Sequence, residues 1–131
     1  MTADTTIATH HTALLELLGA LGAAPTMPPD ETLIALLDAT MAQLALEGAA
    51  LRALAEHGHV DVHEHQAAHG RARLALFRVA TSPSDSLAVE RAVEELRDAF
   101  GDRPRVLAVE LAKRLDAAAL DLLAQEMKEL R

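Results

Sequence analysis

Cysteine, tryptophan and tyrosine are absent from the chain, and Phe77 and Phe100 are its only aromatic side chains. Without thiols, disulfides, thiolate metal sites and cysteine nucleophiles are excluded, which fits a reducing cytoplasm. With so few rings, a core has to be assembled from Leu, Ala and Val, and that favours close-packed helices over a sheet. Basic residues are almost missing from one half. Residues 1–66 carry nine acids and a single base, Arg52, whereas residues 67–131 carry eleven of each sign. The net charge of −8 therefore belongs to the first half, a poor match to nucleic acid. Long charge-free runs are lacking too. The longest, Leu17 to Pro29, is 13 residues interrupted by Gly and Pro, too short to span a bilayer. Asp4 stands near the N-terminus with no base beside it, unlike a secretory leader. The expectation is a soluble cytoplasmic protein with no membrane span and no nucleic-acid partner.

What the chain does have is helical periodicity. Its 131 residues, half of them apolar, suit one domain with one core, residues 1–131. Apolar residues recur at three- and four-residue spacings, predicting an all-α compact bundle of about five helices over 6–22, 29–57, 61–80, 83–100 and 103–130. Ile7, His11, Leu14, Leu18 and Leu21 form the first stripe, with Gly19, Gly22 and Pro25 ending it. Pro28-Pro29-Asp30-Glu31 opens the second helix, because proline and acids are both tolerated in a first turn. Gly58 suits a C-terminal cap, and Asp61-Val62-His63-Glu64 matches a capping box, so a tight helical hairpin is expected at 57–62. Ser82-Pro83-Ser84-Asp85 reads as the next start, with Ser82 as N-cap, and Arg91–Glu95 as a pair one turn apart. Gly101 closes that helix, and Asp102-Arg103-Pro104 opens the last one.

Three features stand out for function. All seven histidines fall within the first 69 residues, and His57, His59, His63, His65 and His69 crowd one stretch. His59/His63 and His65/His69 are four apart, the spacing that sets two imidazoles on one helix face for Zn, Ni or Cu. His65 and His69 also lie on the predicted seam of the third helix, with Ala72, Leu76 and Val79. The single Glu56-x-x-His59 lacks the second copy that a di-iron helical site needs. Glu47 projects from the apolar arc of the second helix, where an unpartnered carboxylate is costly, so it calls for a partner, a water-filled niche or a subunit interface; an edge position reaching solvent is the expected answer. Asp116 is alone inside the wide apolar arc of the last helix. No phosphate-cradling glycine loop or nucleophile triad is visible, so no catalytic residue is assigned.

The breadth of the leucine arcs on the first, second and last helices predicts a non-enzymatic protein–protein interaction module, self-associating or docking a helical partner. The alternative is a protein that binds or responds to a transition metal through the 57–69 histidines. Full imidazole protonation would move the chain from −8 to about −1, since histidine titrates near 6.5.

Overall fold

The computed structural model describes residues 1–23, 27–57 and 62–130. Pro25, Gly58, His59 and Asp61, to which caps or ligands are assigned above, lie outside the described residues. Six helices make up the rest: α1 (Ala3–Ala23), α2 (Asp30–Glu56), α3 (His63–Thr81), α4 (Ser86–Phe100), α5 (Arg103–Arg114) and α6 (Ala117–Glu129). No strand occurs among the described residues, so the all-α bundle stands.

Helices α1 and α2 are the spine. Their apolar faces are shared by two clusters of buried side chains. Leu14 and Leu18 of α1 and Leu33, Leu36 and Leu44 of α2 join α3 and α4 in one cluster, closed by Phe100. Ala3 and Ile7 of α1 and Leu46, Ala50, Leu51 and Leu54 of α2 join α5 and α6 in the other. The start of α1 therefore sits beside the end of α2, an antiparallel pairing. The α3–α4 hairpin covers one end of the spine and the α5–α6 hairpin covers the other. By length and composition alone α2 could cross a membrane; half of that window is buried against the rest of the fold.

Local signals account for most boundaries and correct two. The start of α4 lies at Ser86, with Asp85 rather than Ser82 as its cap. The Asp85 carboxylate accepts from the Leu87 and Ala88 amides at 3.0 and 3.1 Å, and Pro83-Ser84 forms a turn before it. A charged carboxylate at the cap satisfies orphan amides and also complements the positive end of the helix, which a neutral serine does not. Gly101 ends α4 as expected, at φ 38°, a conformation that side chains rarely adopt. Glu95 pairs across to Arg78 of α3 at 2.5 Å instead of Arg91.

The second correction falls on the last helix, which is two. Leu115 is extended (φ −98°, ψ 137°), and Asp116 caps α6 by accepting from the Ala119 amide at 2.8 Å. Asp116 is thus a helix start, not a polar intruder. The apolar arc over 103–130 is wide on a single helical wheel because the wheel superposes two helices of different phase. Leu107 and Leu111 of α5 and Leu123 and Met127 of α6 are buried, whereas Val109 and Leu122 are exposed.

Candidate functional site

A ridge of polar side chains runs along the buried face of α2: Thr40, Gln43 and Glu47 are all fully buried. The ridge falls where the two apolar clusters meet, and side chains from three other helices converge on it. Glu47 is the hub. Its Oε1 accepts from Arg103 Nη1 at 2.6 Å and from His69 Nε2 at 3.2 Å, and its Oε2 accepts from Gln43 Nε2 at 2.9 Å. This overturns the expectation of an edge carboxylate reaching solvent. The reason is that α5 delivers a counter-charge from far along the chain, which removes the cost of an isolated buried carboxylate.

The chain of hydrogen bonds extends in both directions and fixes proton positions. Because the Gln43 amide nitrogen faces Glu47, its Oε1 is left to accept from His10 Nδ1–H at 2.8 Å. Arg103 Nη1 also donates to His65 Nδ1 at 2.6 Å, which puts the His65 proton on Nε2. Arg103 Nε reaches the Ala99 carbonyl at 3.3 Å, and the guanidinium lies 6.0 Å from the Phe100 ring centre. Separately, His11 Nε2–H donates to the Gly101 carbonyl at 2.8 Å, tying α1 to the α4–α5 turn.

Electrostatics follow this geometry. Burial pushes the Glu47 carboxyl up, but the His69 hydrogen bond, the Arg103 charge and the Gln43 amide outweigh it, and the pKa lies below its ordinary 4.5. Burial is the largest effect on His65, and with the Arg103 charge it holds the imidazole below 6.5. Burial likewise lowers His11, against the opposing pull of the Gly101 carbonyl. The hub is an ionised carboxylate and a guanidinium with the His65 and His69 rings against them, and burial makes His65 resist protonation.

Of the five histidines proposed as metal ligands, His59 lies outside the described residues and the other four are divided by the fold. His57 is exposed, with Nδ1–H on the Ala53 carbonyl at 2.9 Å, and His63 is exposed at the start of α3. His65 and His69 are buried, as their seam positions predict, and their ring nitrogens engage Arg103 and Glu47. Among the described residues, no group of three or more His, Asp or Glu could hold a metal ion. A guanidinium in hydrogen-bonding contact with His65 further disfavours a cation there. Asp116, the remaining candidate, is a cap outside the cluster.

Gln43 and Arg103 are the members that sequence reasoning missed. A base in the first turn of a helix opposes the helix dipole, but Arg105 shares that turn, so nothing local marks Arg103 as the one that is paired.

A scan against protein-family models finds no match, and neither the curated proteins nor the solved structures include a significant one.

Proposed function

We propose that this protein is a non-enzymatic helical assembly module that associates with copies of itself through the face formed by α2 and α3. The observation that carries the reading is where large apolar side chains are left uncovered. Ile34 and Met41 of α2 are 57% and 62% exposed, and Leu74 and Phe77 of α3 are 50% and 64% exposed. Between the two helices runs a groove lined by Met41, Leu44, Ala45, Gly48, Arg52, Arg73 and Leu76. Helix-on-helix docking covers surfaces of this kind, and a patch shared by identical chains closes most simply as a two-fold dimer.

The polar cluster supports this reading from the inside. Apart from Thr40 Oγ1 and Arg103 Nη2, which are buried without a partner, its donors and acceptors are spent on one another or on nearby backbone, which suits a structural role in the bundle better than turnover of a substrate. Binding of Zn, Ni or Cu through residues 57–69 has no comparable arrangement among the described residues behind it.

Sedimentation equilibrium over a wide concentration range tests the proposal. The expected result is a mass above 14.0 kDa that falls towards the monomer in Met41→Ser/Phe77→Ser with helicity retained. A chain that stays monomeric throughout would sink it.

A further inference from the structure

The outer face of α2 has a pattern more specific than general hydrophobicity. Ile34, Met41, Gly48 and Ala55 follow one another at intervals of seven, and Asp38, Ala45 and Arg52 fill the intervening positions, also seven apart. Such spacing keeps one face of a helix turned towards a single neighbouring helix. None of these side chains belongs to either buried cluster. At 27 residues, α2 is about 40 Å long, and this stripe runs along most of it.

Gly48 has no evident role inside the protomer. A Cβ placed there meets only Arg52 Nη1, at 3.9 Å, an ordinary contact. Glycine is among the poorest helix formers, so a mid-helix glycine with room for a methyl group points to a close approach from outside. Gly19 and Gly70 are equally open; what distinguishes Gly48 is its place in the stripe, beside Ala45 and one heptad from Met41.

Charge chooses the direction of the pairing. Asp38 lies seven residues before Ala45 and Arg52 seven after it, and both are exposed. Two parallel copies in register would set Asp38 level with Asp38 and Arg52 level with Arg52, a repulsive arrangement. Antiparallel copies related by a two-fold axis at Ala45 set Asp38 level with Arg52 of the partner, twice by symmetry. The same axis lays Met41 of each copy across the small Ala45/Gly48 patch of the other. Arg52 Nη2 already donates to Glu126 at 2.7 Å, while Nη1 lies over Gly48, on the side a second copy would occupy.

We propose that two copies of this chain pair through α2, antiparallel about a two-fold axis at Ala45, with Asp38 of each opposite Arg52 of the other. This rests on the self-association reading above and specifies its interface.

The absence of native cysteine makes the test direct. In the full-length protein, Ala45→Cys should form a covalent dimer under mild oxidation. Asp38→Cys alone and Arg52→Cys alone should not, whereas a mixture of the two should cross-link as a heterodimer. By sedimentation, Asp38→Arg and Arg52→Asp should each weaken association by about 10-fold or more, and the double exchange should restore it. Gly48→Leu should weaken association while leaving the protomer helical and no less heat-stable. Three outcomes separate the ideas. Association that ignores the charge exchange and leaves Ala45→Cys monomeric overturns this interface and leaves self-association standing. Self-cross-linking of Asp38→Cys overturns the antiparallel direction. A wild-type chain that is monomeric at every concentration overturns both the interface and the reading beneath it.

Discussion

Two histidines and one glutamate give this protein a pH dependence whose sign can be worked out group by group. His11 and His65 are held below 6.5 by burial, so the unfolded chain takes up protons before the folded one does. Stability is then complete above pH 6.5 and falls as pH drops below it. Glu47, held below 4.5, acts in the same direction in a lower window: its contribution is present above 4.5 and is lost as pH falls beneath it. Urea denaturation midpoints should therefore be level from pH 8 to 7, decline from about 6.5 and decline again below about 4.5. His65→Gln should make the first decline shallower. A flat profile from pH 8 to 5 would show that these imidazoles do not resist protonation as their burial requires. At this scale the sequence was half legible. Glu47 was recognisable as a misfit, and His65 and His69 as seam residues. Arg103 was not, because pairing across the bundle depends on how α5 docks, and no local period records that.

Helix ends were more legible than helix partners, with one instructive failure. Asp116 has the chemistry of an N-cap, follows the basic last turn Lys113-Arg114, and precedes a run of alanines. Those are the signs of one helix stopping and another starting. An apolar pattern that continues on both sides masked them, since leucines at three- and four-residue spacing persist through the break. The cap should be worth what such caps usually are: Asp116→Ala is expected to cost about 0.5–2 kcal/mol. Asp116→Ser should recover most of that. Thermal unfolding followed by circular dichroism measures both variants; if the alanine variant were as stable as wild type, the kink would be set by docking of α6 rather than by the cap. The break also divides the over-wide apolar arc near the C-terminus into the separate faces of α5 and α6, which bury Leu107 and Leu111 on one and Leu123 and Met127 on the other.

In the whole molecule, a layer of ions and imidazoles separates two leucine–alanine cores that share one pair of helices. The all-α class was readable from composition and period, because a chain with two aromatic residues has few other ways to fill a core. The division into two cores was not, since it follows from where Gln43 and Glu47 sit along α2 relative to the two covering hairpins. Breaking the layer from one side should be costly. Arg103→Met leaves Glu47 as an uncompensated buried charge and should destabilise the fold by about 3–5 kcal/mol. Replacing both, Glu47→Met/Arg103→Met, should recover most of that loss, as apolar substitutes for a buried ion pair commonly do. The recovery should come with a different penalty. Leucine and alanine ridges repeat every turn, so without the pair α2 and α5 could slide past one another by a turn and find nearly equivalent packing. A single buried carboxylate matched to a single guanidinium admits one alignment. The double variant is therefore expected to give broadened, multiplied amide resonances, and the wild-type protein one sharp set. A sharp single set from the double variant would mean that side-chain shape alone holds the helices in step. On this view the Glu47–Arg103 pair is the tooth of a ratchet: it adds little to the strength of the bundle and decides where the helices stop.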